Sequence, residues 1–382
     1  MQALESLSYS RIPSSYDELR LEVRSFLQHA LKDFPAVRRS DSWMGFDAQF
    51  SKKLGAKGWI GMALPKQYGG SDAPAFARYV VMEELLAAGA PVSAHWISDR
   101  QSAPQILQFG TQAQKEKHIP AICRGEQYFC IGMSEPSSGS DLASIKSRAR
   151  KHGDKWILNG QKLWTTNAHR SHYMIALVRT SDSENRHGGM SQVLIDLSLP
   201  GVTVRPITDL TGAEHFNEVF FEDVELSEDA LIGVEGDGWN QVTAELAFER
   251  SGAERFLSSV ELLLRLVSVV GSSPDAYQAK EIGRLVARLI TLRNMSLTVT
   301  QQLQDGKNPT WEASCLKDLG SVFEQEIPEI AHLLLEVAPT SLGGSDYAQV
   351  LAALSQQAPS FSLRGGTREI LRGIIARGLG LR

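Results

Sequence analysis

The sequence predicts an α+β chain with an N-terminal helical domain, a central β-barrel or sandwich and a C-terminal helical bundle. Three observations predict it. Apolar residues recur at helical spacing over roughly the first 120 residues, polarity alternates from about Tyr128 to Gly233, and the helical period returns from Trp239 onward. Domain boundaries are expected at 1–124, 125–236 and 237–382.

The first predicted helix starts at Ser14, where SSYDELRLEVRSFLQHAL combines a capping hydroxyl, acids in the first turn and Leu19, Val23, Phe26, Leu27 and Leu31 at helical spacing. A second amphipathic run begins at Phe46 and is interrupted by loop residues from Gly61 to Gly70. Helices are predicted again over Phe76 to Ala88 and Ser102 to Arg124. In the middle region, Ser144 to Ala149 and Lys155 to Trp164 form a hairpin around His152-Gly153-Asp154. Strands follow at Tyr173 to Val178, Gln192 to Leu197, Val202 to Ile207 and Asn217 to Val224. A long helix is predicted from Gln241 to Val270, then others over Asp275 to Leu303, Trp311 to Val337 and Thr367 to Ala376.

Composition narrows the function. A hydrophobic share of 42% and a charged share of 22% match a soluble globular chain, and a net charge of -5 disfavours nucleic-acid binding, which wants a basic face. The three cysteines, Cys123, Cys130 and Cys315, lack the spacing of a zinc site or a disulfide framework. His169 and His172 do not make a metal site by themselves, so none is expected. The N-terminus has no signal-peptide pattern, and no apolar run approaches the roughly 18 to 20 residues of a membrane span. A cytoplasmic enzyme with no membrane association is expected.

One stretch concentrates the chemistry. Ser134-Glu135-Pro136-Ser137-Ser138-Gly139-Ser140-Asp141 is a turn rich in hydroxyl and backbone donors, in which Pro136 fixes and Gly139 frees the backbone. It suits an anionic or carbonyl-rich ligand. Downstream, Trp164 stands beside Thr165, Thr166 and Asn167, a flat ring with polar groups at its edge. That suits a planar heteroaromatic cofactor. Gly233-Val234-Glu235-Gly236-Asp237-Gly238 has the wrong spacing for a dinucleotide turn and reads as a loop between domains.

These two motifs, in order and at this spacing, resemble the middle domain of the acyl-CoA dehydrogenases, whose turn reads roughly [TS]EP-x-[AS]GSD and whose strand reads NG-x-K-x-W-[IT]TN. Here the second is Asn159-Gly160-Gln161-Lys162-Leu163-Trp164-Thr165-Thr166-Asn167. Leu64-Pro65-Lys66-Gln67-Tyr68-Gly69-Gly70 matches the family's LP-x-x-YGG turn, and Arg364-Gly365-Gly366-Thr367-Arg368-Glu369-Ile370 resembles its C-terminal [YI]-[EG]-GT-x-[EQ]-I segment. The resemblance implies FAD bound by Ser134, Gly139, Trp164, Thr166, Thr367 and Glu369, and an acyl-CoA contacted by Ser140 and Arg250. It also implies electron transfer to an electron-transfer flavoprotein and a homo-oligomer.

Removing the α-proton of a thioester needs a carboxylate in an apolar setting, where its pKa rises towards usefulness. Many family members carry that base just before the C-terminal Gly-Thr pair, but here the position is Gly365. A smaller set carries it on the first long helix of the C-terminal domain, which implies Glu249. Gly252, Ala253 and Phe256 at i+3, i+4 and i+7 would leave a hollow beside it on a continuous helix. Glu245 is the reserve candidate.

The family's R-x-x-FG motif, which reaches a neighbouring subunit's FAD, is missing from SSPDAYQAKEI at 272–282. Two arrangements follow: a subgroup with other cross-subunit contacts, or a mixed oligomer with a related chain supplying what is absent. A non-catalytic subunit and an oxygen-using flavin monooxygenase or oxidase on the same scaffold are the competing functions.

Overall fold

The computed structural model describes residues 9–249 and 252–381, with the backbone alone at 245–249. The chain folds as two compact units. A helical unit comprises Met1–Phe46, Pro74–Val92 and Ala247–Arg382, and a sheet unit comprises Asp47–Ala73 and Ser93–Leu246.

The helix, sheet, helix order of the sequence is found. Helices α1 (Asp17–Ala30), α2 (Ala36–Ser40), α3 (Ala48–Ala56), α4 (Ala75–Ala87), α5 (Ser93–Ile97), α6 (Ala103–Phe109) and α7 (Gln112–Cys123) precede the strands. The helix expected over Ser102 to Arg124 is broken at Gly110. A reciprocal capping box between Thr111 and Gln114 starts α7 afresh, which supplies its first free amides with partners. Between α5 and α6 lies a π turn, Ser98–Ser102.

Strands β1 (Phe129–Gly132), β2 (Arg148–His152), β3 (Lys155–Thr166), β4 (Tyr173–Arg179), β5 (Met190–Asp196), β6 (Val202–Ile207), β7 (Phe216–Ser227) and β8 (Leu231–Ile232) form one sheet, in the order β6-β7-β3-β2-β4-β5-β8, with β1 paired to β4. The β2–β3 hairpin turns on Gly153 and Asp154, since His152 pairs with Lys155 and Gly153 takes a φ of +65°. Strand β2 begins at Arg148 rather than Ser144. The amides of Lys146 and Ser147 are taken by the Glu135 carboxylate and never enter the ladder. One sheet face packs Cys130, Trp156, Leu158, Met174, Val193 and Phe221, while Leu177 and Met190 pack on Ile145 and Val242 on the other.

After the sheet come α8 (Gly238–Glu249), α9 (Val260–Val270), α10 (Ala276–Gln304), α11 (Thr310–Leu334), α12 (Asp346–Gln357) and α13 (Arg368–Gly378). The single helix expected from Gln241 to Val270 is therefore two. Gly252 is extended, at φ -88° and ψ 173°, and a short 3-10 turn at Ala253–Arg255 precedes α9. Helix α12 was not anticipated, although Ser345 caps it by accepting from the Ala348 amide.

In the helical unit α4 is apolar on most sides and buried, yet it carries Glu83 and Glu84 inward. Arg20 and Arg24 of α1 and Arg293 of α10 neutralise them. Arg24 Nε lies 2.7 Å from Glu84, Arg293 Nε lies 2.6 Å from Glu83, and Arg20 pairs with both. Buried carboxylates persist only when paired in this way, so the cluster fixes three helices in one register. Among the described residues no helix is long and apolar enough to cross a membrane. The cysteines are free, and burial first of all pushes the thiols of Cys123, Cys130 and Cys315 up to about 11, 12 and 11. They stay protonated at neutral pH and are poor nucleophiles.

Candidate functional site

In the sheet unit the segment that follows β1 carries Ser134 alongside β3, which carries Trp164. The Ser134 carbonyl accepts from the Leu163 amide at 2.9 Å. Pairing of β3 with β7 shifts between Lys162 and Thr165, an irregularity that reverses which side chains face inward. Trp164 sits there at φ +61°, a left-handed conformation unusual for a bulky residue, and its ring is 57% exposed. Its edge contact with Phe216 has ring centres 6.1 Å apart. Thr166, half-buried, pairs with Phe216, and Asn167 follows at φ +52° with its side-chain amide donating to Ser93 Oγ at 2.6 Å. A rigid, outward aromatic ring edged with polar groups is the donor set a flavin ring system would fit.

The turn itself closes between Glu135 and Ser138, whose backbones exchange hydrogen bonds of 2.8 and 3.0 Å. Gly139 has no positive φ, and a Cβ there would meet nothing within 4 Å, so the turn does not depend on glycine's freedom at that position. This corrects the reason the sequence offers for Gly139. Ser140 is exposed.

Two residues that the sequence does not single out hold this arrangement together. Lys162 is fully buried, and its three N–H donors go to Glu135 Oε1 at 2.8 Å, the Leu177 carbonyl at 2.6 Å and the Met133 carbonyl at 3.2 Å. Glu135 also accepts from the amides of Lys146 at 2.6 Å and Ser147 at 3.0 Å. Burial would raise the Glu135 carboxyl, but Lys162 and the two amides outweigh it and hold the group below its usual range. Burial pushes the Lys162 ammonium down to about 8 against the pull of Glu135. A signal was available, because Lys162 occupies an inward position in an alternating strand, where a charge must have a built partner.

In the helical unit Thr367 is the N-cap of α13, with extended backbone and no side-chain cap bond. Glu369 stands exposed in the first turn. Its own backbone N–H and then the Thr367 hydroxyl hold its carboxyl below the usual range. Gly365 and Gly366 precede them at φ +67° and +97°, conformations that favour glycine. The position where many relatives carry a base thus belongs to a tight turn.

Glu249 is the last described residue of α8, and its side chain, that of Glu245 and the whole of Arg250 lie outside the described residues. Gly252, Ala253 and Phe256, expected on one helical face with Glu249, do not share one with it. Helix α8 is described as far as Glu249, and by Gly252 the backbone is extended, which breaks the 3.6-residue period. A Cβ at Gly252 would run into the buried Glu254 carboxylate.

The fold and this arrangement define a flavoprotein oxidoreductase scaffold, and comparison with known proteins agrees. Residues 14–126, 130–224 and 236–380 match the N-terminal, middle and C-terminal domains of acyl-CoA dehydrogenase. The chain is 31% identical to acyl-CoA dehydrogenase IpdE1 of Mycobacterium tuberculosis, over 96% of its own length and 97% of the relative's. It is 35% identical to acyl-CoA dehydrogenase FadE29 of the same organism, over 85% and 86%. Among solved structures it is similar to a steroid ACAD, Tcur3481-Tcur3483, with a TM-score of 0.86 and 26% identity over 97% of this chain and 98% of that one. It is likewise similar to the ChsE4-ChsE5 complex of Mycobacterium tuberculosis, with a TM-score of 0.85 and 26% identity over 98% and 100%. The chain belongs to the acyl-CoA dehydrogenase family.

Proposed function

We propose that this chain is an FAD-dependent dehydrogenase that introduces an α,β double bond into an acyl-CoA thioester. The observation that carries the reading is the outward Trp164 ring, fixed beside the Ser134 turn by a strand irregularity and a buried ion pair. FAD, when bound, supplies through N5 the acceptor for the β-hydrogen and its electron pair.

The chain's own residues do the rest. Ser134, Gly139, Trp164 and Thr166 hold the ring system, while Thr367 meets the rest of FAD at a helix start that favours anionic groups. Glu369, whose carboxyl is held below its usual range, would accept from ribose hydroxyls. Ser140 and Arg250 hold the pantetheine arm and the CoA moiety. Glu249 takes the α-proton as the C–H bond breaks, made acidic by hydrogen bonds to the thioester carbonyl. The electrons leave to an electron-transfer flavoprotein in the cytoplasm, from a homo-oligomer whose chains divide at 1–124, 125–236 and 237–382. The matched family domains support that division.

A specific observation favours a second reading, assembly with a related chain. The segment 272–282 lacks the R-x-x-FG motif, and its Asp275 and Gln278 are spent on the capping box that starts α10. Two of the similar solved structures bear paired names, Tcur3481-Tcur3483 and ChsE4-ChsE5.

The test is the visible spectrum of the purified chain, then anaerobic addition of acyl-CoAs, with a polycyclic acyl chain among the first because one similar structure is called a steroid ACAD. A flavin spectrum that bleaches with a thioester, and at least about 1000-fold more slowly in Glu249→Gln, supports the dehydrogenase reading. A colourless chain that yellows only with a related partner supports the mixed assembly. Rapid reoxidation by air would point instead to an oxidase.

A further inference from the structure

Helix α11 carries a polar stripe where an apolar one would be expected. Lys317, Asp318, Ser321, Glu324 and Gln325 recur at i, i+1, i+4, i+7 and i+8, one face of the helix, and each is buried or half-buried. The stripe grips residues 358–372 along their length. Gln325 Nε2 donates to the Ala358 carbonyl at 3.0 Å and Ser362 Oγ at 3.2 Å. Lys317 Nζ donates to the Phe361 carbonyl at 2.7 Å. Glu324 accepts from Arg364 at 3.2 Å, and Asp318 accepts from Arg368 at 2.6 Å and Arg372 at 3.5 Å.

Glu324 also reaches the segment that follows α8. Its carboxylate accepts from the Ser258 amide at 2.8 Å, its carbonyl accepts from Ser259 Oγ at 2.8 Å, and Arg364 donates to Ser258 Oγ at 2.5 Å. Arg364 is held further between the Trp43 and Phe361 rings, 5.0 and 4.8 Å from their centres. Apolar side chains would bury the same surface at a lower desolvation cost; what the polar stripe adds is a fixed register.

Between the anchors Arg364 and Arg368 lie only Gly365, Gly366 and Thr367. With both ends held and both glycines left-handed, this short turn has little freedom, and it delivers Thr367 to the start of α13 in one orientation. We propose that Glu324 and Arg364 are positioning residues that lock the Gly365–Thr367 turn to the 256–259 segment in the geometry that binds FAD. The proposal rests on the reading above that Thr367 and Glu369 serve FAD.

The full-length chain tests it with two readouts, FAD affinity by fluorescence titration and amide hydrogen exchange of the flavin-free protein. Glu324→Gln keeps an acceptor for the Ser258 amide and removes the charge facing Arg364. We expect at least tenfold weaker FAD binding and faster exchange confined to 256–259 and 364–372. Arg364→Lys should retain more affinity than Arg364→Met, and that ordering carries the test if Glu324→Gln does not fold. Faster exchange with FAD affinity within twofold of wild type would make the bridge merely structural and overturn the proposal, as would unchanged exchange. A wild-type chain that takes up no FAD, alone or with a related partner chain, fails the functional reading itself and overturns both; it is told apart because the defect appears before any substitution.

Discussion

The two units hold their candidate cofactor residues in opposite ways. In the sheet unit one fully buried ammonium, Lys162, joins the Ser134 turn, the end of β1 and strand β4 through three hydrogen bonds. In the helical unit the work is spread along α11, where five polar side chains hold 358–372 at points from Ala358 through Phe361 and Arg364 to Arg368. A single hub concentrates the risk. A distributed stripe lowers the cost of any one loss but needs all its members to define a register.

The largest expected effect is at the hub. Lys162→Met leaves Glu135 buried and ionised without its partner and should destabilise the protein by about 3–5 kcal/mol in urea unfolding. Adding Glu135→Gln removes the stranded charge and keeps an acceptor for one of the Lys146 and Ser147 amides. The double variant should recover about 1–2 kcal/mol. If it is as unstable as Lys162→Met, packing rather than charge pairing governs the site.

A smaller effect is expected in the helical unit from Gly320→Ala. A methyl there would run into the Arg255 backbone carbonyl, against which α11 packs. Alanine raises helix propensity by about 1 kcal/mol, yet the clash with backbone should win, for a net loss of about 1–3 kcal/mol. A neutral outcome would mean that α11 can back away from Arg255, and the register argument would weaken with it.

The contrast also explains what was legible. The strands from Tyr173 to Val224 and the two middle-region motifs lie within short stretches, so alternation and turn residues revealed them. The α11 stripe was not legible, because its partners lie 33 to 66 positions away, and Glu324 or Lys317 alone look like solvated charges. The break at Gly252 was hidden for another reason. Ser251-Gly252-Ala253 does not forbid a helix, and it is the buried Glu254 carboxylate lying against Gly252 that accompanies the extended backbone there.

The hub should respond to pH. Lys162 has a folded pKa of about 8, below the ordinary 10.5, so the folded chain gives up this proton before the unfolded chain does. Stability relative to Lys162→Met should therefore rise as pH climbs from about 8 to about 10.5, and fall back as pH drops through 8. Urea unfolding at several pH values checks the direction. A flat difference would mean that Glu135 keeps Lys162 charged throughout that range.

The smallest stability effects belong to the residues proposed to face FAD, and they separate binding from folding in both units. Trp164 is 57% exposed, with one edge contact to Phe216, so Trp164→Leu should change stability by less than about 0.5 kcal/mol. Thr367 makes no side-chain cap bond, so Thr367→Ala should fall below the usual N-cap cost of about 0.5–2 kcal/mol. Both should nevertheless weaken FAD binding, Trp164→Leu by more, since an aromatic face is lost rather than one hydroxyl. Near-native unfolding curves with weaker flavin titration would assign these side chains to the cofactor. A Thr367→Ala variant that loses a full cap's worth of stability while keeping FAD affinity would return that residue to a purely structural role and leave FAD held without it.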